Sequence, residues 1–339
     1  MENENGINEE IELTPDALEK KVKDIQKQSN KEMLRAMVRS TYDLQNLRMM
    51  YGNRICAAFR SRLGIAPSDN ENEIDDKNKK ILTELKENYK KVTDAMAVEL
   101  SKENEKERDT VGKLPRESKF KGNSVISSYG ELCMIHQYFE TEALEARSFR
   151  QIEKFLEAFP IYTGYLKNVR GVGPAMAGVI ISEMDISKAR YVSSLWKYCG
   201  LDVVVTPNPE TGELEGVARS MRKEHMVEVE YKDRNGEMQK RISITFKPFL
   251  RAKMRGVLAS SFLRCGSPYA KIYYDYKNRI ENHPKHIMKT KAHRNNMALR
   301  YMIQRFFVDL YVNWRKIEGL EVHPEYAVAK LGLVHRGGE

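Results

Sequence analysis

Apolar side chains return at three- and four-residue steps from Lys31 onward, through Leu34, Met37, Val38, Leu44, Leu47, Tyr51, Ile55 and Phe59. That period predicts an amphipathic helix, and Leu63-Gly64 with Pro67 behind it supplies the stop signal. An acidic loop over 65–76 precedes a second predicted helix, about Lys77 to Lys106. Ile81, Leu85, Tyr89, Val92, Met96 and Leu100 form its stripe, and its other face carries dense alternating charge, as in an exposed or coiled-coil-like helix. Gly112, Pro115 and Gly122 mark a basic loop. A third helix carries Ile126, Leu132, Cys133, His136 and Phe139 on its apolar side, and a fourth, about Phe149 to Phe159, stops at Pro160.

Beyond Pro160 the rhythm changes. Tyr165–Met184 reads as two helical limbs around a glycine turn, and Val192–Leu201 as a short helix ending at Gly200. Val203–Val205 leads into a turn over 206–212. Residues 226–231 and 241–246 alternate with the strand period around Asp233-Arg-Asn-Gly236, which predicts a β-hairpin near 226–246. Helices about Pro248–Arg264 and Lys291–Trp314 follow, with Tyr269–Arg279 between them. The expected fold class is mainly α: an N-terminal helical hairpin or bundle, then a C-terminal helical domain with a helix-hairpin-helix and a small β-hairpin insertion. The expected divisions are 1–30, 31–148, 149–320 and a tail over 321–339. Residues 1–30 hold eight acids and four lysines with few apolar anchors, so they read as a disordered acidic arm.

Composition narrows the class. Hydrophobic residues make up 41% of the 339, enough for a core, and 31% are charged, which suits long solvated helices. No apolar run approaches the roughly 20 residues of a membrane span, and the acidic start, MENENGINEEIEL, is unlike a secretory or transit signal. Cys56, Cys133, Cys199 and Cys265 lack CxxC spacing, so neither a zinc site nor a disulfide framework is indicated. A cytoplasmic protein with reduced thiols and no membrane partner is the expectation.

The chemistry is concentrated in Leu166-Lys-Asn-Val169-Arg170-Gly171-Val172-Gly173-Pro174-Ala175-Met-Ala177. Leu166 and Val169 close the first limb onto the second, Gly171 and Gly173 permit a tight turn, and Pro174 opens the next helix where its missing N–H is harmless. The N–H groups around Gly171 to Ala175 then face outward at a positive helix end, suited to phosphate. Such contacts hold a nucleic-acid backbone without reading its sequence; the same turn can also serve packing or protein contacts. Arg170, Gly171, Val172, Gly173 and Ala175 are the candidates here.

Charge supports the nucleic-acid reading. The whole-chain balance is +9, yet Lys247–Lys316 alone holds sixteen Lys and Arg against Asp275, Glu281 and Asp309, interleaved with Tyr269, Tyr273, Tyr274, Tyr276, Tyr301, Phe306, Phe307 and Trp314. A basic face with aromatics is the usual footprint of a nucleic-acid surface, although Leu299, Met302, Phe306, Leu310 and Trp314 are spaced as core. The basic candidates are Arg219, Arg222, Lys247, Arg251, Lys253, Arg255, Lys289, Lys291 and Arg294. His283, His286 and His293 make no closed ligand set with Asp275, and Glu183 and Asp185 read as solvated helix-end acids, so no metal site is assigned. No GxxxxGK[ST], GxSxG or HExxH pattern occurs.

From Arg150 the chain resembles the C-terminal domain of the IS-one-ten (also IS-one-sixteen) insertion-sequence transposase family. The residues that carry the resemblance are Gln151-Ile-Glu-Lys-Phe-Leu156, the Leu166–Ala177 stretch, Ser194-Leu-Trp-Lys-Tyr-Cys-Gly200-Leu201, and Ala292-His-Arg294 leading into Met297–Trp314, in that order over about half the chain. The resemblance implies an all-α DNA-recombining domain working with a separate RuvC-like catalytic domain, whose Asp and Glu hold magnesium beside a nucleophilic serine of the C-terminal domain. Residues 1–150 read here as helices without a strand-borne Asp of that kind, so no acidic residue is carried over. Ser220, in Gly216-Val-Ala-Arg219-Ser220-Met-Arg222, is the positional match for the serine. An unactivated serine is a poor nucleophile, and a serine in a basic loop also contacts phosphate; both roles stay open for Ser220.

Three readings follow. The chain is a DNA-binding, transposase-related protein, its partner DNA or alternatively RNA, with a separate catalytic subunit; or an assembly or adaptor protein oligomerising through its N-terminal helices, with a homodimer the simplest form; or a recombinase active alone. No cofactor is evident, and magnesium is needed only if the chain is catalytic.

Overall fold

The structure, a computed structural model, describes residues 15–64, 76–101, 114, 117–207, 212, 214–219 and 226–325. It is mainly helical with two small antiparallel hairpins. Contacts divide the chain into two units, Met1–Arg35 with Ile152–Glu339, and Ala36–Gln151.

The second unit is built from α1 (Pro15–Arg62) beyond Arg35, α2 (Asp76–Ser101) and α3 (Tyr129–Leu156) up to Gln151. Ile55, Leu85, Ile126, Leu132, Ile135 and Tyr138 bury together, as the helical stripes require. Arg48 pairs with Glu145, whose other oxygen accepts from Gln45 Nε2 at 3.0 Å. Arg62 ties the end of α1 to Glu131 (2.8 Å) and to the Val125 carbonyl (2.7 Å).

Two boundaries differ from expectation. Helix α1 begins at Pro15, so residues 15–30 are helical rather than part of an arm; helix formers such as Lys, Glu and Gln dominate them, and Lys23 bridges Glu19 one turn back at 2.6 Å. The predicted third and fourth helices are one, α3, because no Gly or Pro interrupts residues 131–156.

The first unit gathers around α11 (Lys291–Ile317). Ala298, Met302, Phe306, Leu310 and Trp314 recur every fourth residue, joined by Ile303, Phe307 and Tyr311, and all are buried. Packed on this face are α4 (Pro160–Gly164), α6 (Val192–Tyr198), α8 (Ala259–Arg264) and α9 (Pro268–Glu281). Helix α5 (Pro174–Glu183) is buried from Met176 to its end. Helix α7 (Pro248–Ala252) runs into α8 through a π turn over Lys253–Leu258, where Ala259 donates to the Met254 carbonyl five residues back. The short α10 (Pro284–Ile287) precedes Thr290, whose hydroxyl caps α11 by accepting from His293 N at 3.2 Å.

Strands β3 (Met226–Lys232) and β4 (Met238–Ile244) pair in the predicted hairpin, Val229 opposite Arg241. A second hairpin, β1 (Val203–Pro207) with β2 (Leu214–Ala218), pairs Val203 with Ala218 and was not expected beyond its first strand.

Glu183, fully buried, pairs with Lys247, and its neighbour Ser182 accepts from Arg35 Nη2 at 2.7 Å. Breaking a buried pair leaves a stranded charge. Lys247→Met is therefore expected to lower stability by about 3 kcal/mol in urea unfolding, and adding Glu183→Gln should recover part of that loss.

Candidate nucleic-acid interface

Helix α5 is apolar on every side, so only its start reaches solvent. Gly173 is exposed, Pro174 and Ala175 are half-buried, and everything from Met176 to Glu183 is buried. The limb before it is shorter than expected: α4, then a 3-10 turn over Leu166–Asn168, with Leu166 in the core. Pro160 and Gly164, the ends of a five-residue segment, leave α4 little more than one turn.

The two glycines of the hairpin have different reasons to be there. Gly171 adopts φ +100°, and a Cβ on it would come within 2.7 Å of Phe262 Cδ1 and 3.0 Å of Cys265 Sγ. Its carbonyl accepts from Ser261 Oγ at 2.8 Å. Gly171 is thus required by the fold itself: the left-handed conformation and the seat on α8 both exclude a side chain. Gly173 has φ −83°, which any residue adopts, and a Cβ there would meet nothing. The chain gives no internal reason for a glycine at 173; what its absent side chain clears is the approach from solvent.

That approach ends on unpaired donors. No side chain caps α5. Val172 N donates to Val169 O, and the Gly173 carbonyl takes Met176 N and Ala177 N. Among the described residues the N–H groups of Gly171, Gly173 and Ala175 have no acceptor, as expected at an uncapped helix start. Arg170, exposed, makes no ion pair there. Val172 does not belong with these candidates: its side chain is buried and its N–H is spent inside the turn.

A second basic group gathers Arg219, just after β2, with Arg251 and Arg255 on the α7–α8 helix and Arg300 on α11. Arg219 holds Asp202 with Nε (2.9 Å) and Nη2 (2.7 Å) and donates to Thr245 Oγ1 at 2.6 Å. Its carbonyl accepts from Arg251 Nη1 at 2.6 Å, and the Arg251 guanidinium lies 5.0 Å from the Phe246 ring centre. Burial, then the charges of Arg255 and Arg300, hold Arg251 below the ordinary arginine value. Burial does the same to Arg255 and Arg300. Arg255 Nε is shielded from solvent without a partner. Among the described residues Arg255 and Arg300 make no hydrogen bond or ion pair.

The remaining candidates scatter. Lys247 is engaged by Glu183, and Lys253 lies 5.5 Å from the Phe249 ring centre. Arg294 donates to the carbonyls of Ile287 (2.9 Å) and Lys289 (2.7 Å), so it ties down the loop before α11; Lys291 is exposed at the start of α11. Ser220 and Arg222 lie outside the described residues. Two basic residues were missed. Arg264 is exposed on the last turn of α8, beside Cys265. Arg300 lies between the buried Ala298 and Met302 of α11 and is itself half-buried; a cation so close to the buried row is the signal that could have found it.

Among the described residues no three His, Cys, Asp or Glu gather to hold a metal, so magnesium finds no fitting ligand set there and no cleavage step is derived. No helix among them is long and apolar enough to cross a membrane. Comparison with protein-family models, curated proteins and solved structures finds no match.

Gly171→Ala is expected to destabilise the protein by about 2–4 kcal/mol, from the positive φ and the Phe262 clash together. A thermal melt equal to wild type would show that the turn does not rest on α8.

Proposed function

We propose that this chain binds nucleic acid, DNA first, by its sugar-phosphate backbone, as a transposase-related recombination protein. The observation that carries this reading is Gly173: a glycine with no conformational or packing role, next to unpaired N–H groups at the uncapped start of a buried helix. A phosphate oxygen is the ligand such donors fit, and a missing Cβ is what its approach needs. Exposed Arg170, and Arg264 on the helix that seats Gly171, add positive charge around the turn. The resemblance to the IS-one-ten transposases supplies the recombination context and rests on the residues quoted above.

A second reading, assembly through the N-terminal helices with DNA binding absent or incidental, is favoured by Val22, Ile25 and Met33, which expose large apolar side chains along α1. Cleavage of DNA by the purified chain with magnesium, lost in Ser220→Ala, would extend the first reading to an active recombinase.

Gly173→Val separates the readings, since nothing near residue 173 obstructs a side chain. The variant is expected to melt like wild type and to bind a labelled duplex about ten- to hundredfold more weakly in fluorescence anisotropy, the loss of one or two charge-assisted hydrogen bonds. Wild-type affinity should fall steeply between 50 and 200 mM salt. Unchanged affinity in the variant, or binding indifferent to salt, sinks the backbone-contact model.

A further inference from the structure

Arginines are normally neutralised when they leave water, because the ordered positive charge otherwise repels its neighbours. Arg219 follows that rule and takes both oxygens of Asp202. The three arginines around it do not. Arg251 is spent only on a carbonyl and a ring face, and Arg255 and Arg300 have no partner among the described residues. Arg251 and Arg255 lie one turn apart on the α7–α8 helix, while Arg300 comes from α11, one turn before Gln304, which donates to the Leu201 carbonyl beside Asp202 at 2.7 Å. Arg251 and Arg300 both feel the charges of Asp202 and of Arg255, so arginines from distant parts of the sequence outnumber the one carboxylate, which Arg219 already holds. His293 faces the same charge: partial burial, then Lys289 and Arg300, keep it below the ordinary histidine value.

Holding like charges together is unfavourable in the empty protein, and the arrangement persists because packing of two helices on one another leaves the side chains no other place. The natural complement is a tetrahedral oxyanion: guanidinium forks match its oxygens pairwise, and a negative charge shared by three donors removes their mutual repulsion. We propose that Arg251, Arg255 and Arg300 form a preformed clamp for one phosphate group, a backbone phosphodiester if the proposed function holds. The π turn supports the assignment, since such turns recur at functional sites and this one carries Arg255 and ends before Ala259. Arg255 of the clamp lies roughly 10 Å along the helix from Ser261, the residue that seats the Gly171 turn, so the α7–α8 helix links the two proposed contacts.

The test is thermal unfolding of the full chain with increasing inorganic phosphate, matched in ionic strength with chloride and with acetate. Wild type should gain stability from phosphate beyond both controls, while Arg255→Gln and Arg300→Gln should lose that response. Without phosphate the two variants should melt at or above the wild-type temperature, because each removes a repelling charge; a purely structural arginine would lower it. In parallel, Arg255→Gln should weaken duplex binding about tenfold and make the salt dependence shallower by about one charge. A phosphate response in wild type equal to chloride, one matched by acetate, or one retained in both variants overturns the clamp. A specific phosphate response in a chain that binds no nucleic acid keeps the clamp and overturns the proposed function.

Discussion

The apolar face of α11 is what the rest of its unit depends on. Its buried side chains recur on two adjacent rows, so the helix can be covered on a wide arc, and α4, α6, α8 and α9 cover it. The hairpin turn is held at one remove from this face. Phe306 of α11 meets Phe262 edge-on, with ring centres 5.3 Å apart, and Phe262 lies under Gly171. Tyr269 stacks on the same Phe262 ring at 4.9 Å and donates to Asp309 of α11 at 2.7 Å. The backbone turn with its open N–H groups is thus fixed by aromatic rings rather than by its own short limb, which would preorganise the donors for the proposed ligand.

The same unit separates its charges into two kinds. Glu183 is fully enclosed, and Lys247 with Arg35 answers it; Asp202 is answered by Arg219. These pairs fix where α5 meets α7 and where β1 and β2 join the helices. Arg255 and Arg300 are carried by helices and make no ion pair among the described residues. On the proposed reading, the paired charges serve architecture and Arg251, Arg255 and Arg300 are left for a ligand.

Much of this was legible in the sequence, and the reasons for the rest are physical. Apolar periodicity reports a helix face directly, so α11, α2 and the start of α3 were readable, as was the β3–β4 hairpin from its alternation and its Asp-Arg-Asn-Gly turn. The hairpin at Gly171 was readable because spacing there is local. Helicity over 15–30 was missed because it comes from propensity and from continuity with the amphipathic part of α1, with little apolar signal of its own. Leu214–Ala218 was missed because β1 and β2 join across a long turn. Lys247 was read as surface and is the partner of a buried acid 64 residues earlier. The arginine group needed residues 202, 219, 251, 255 and 300 brought together by tertiary packing, and no spacing rule records that.

The π turn at Lys253–Leu258 has one more consequence. An α-helix advances by about 100° per residue, so the extra residue accommodated there sets the angular phase between the part of the helix that carries Arg251 and the part that carries Ser261 and Phe262. Winding the same residues as a regular α-helix would turn one half against the other by about that angle. The Gly171 seat and the arginines would then no longer face their partners together. On the proposed reading, the spacing of the two phosphate contacts is therefore encoded as a helical phase, which the π turn sets.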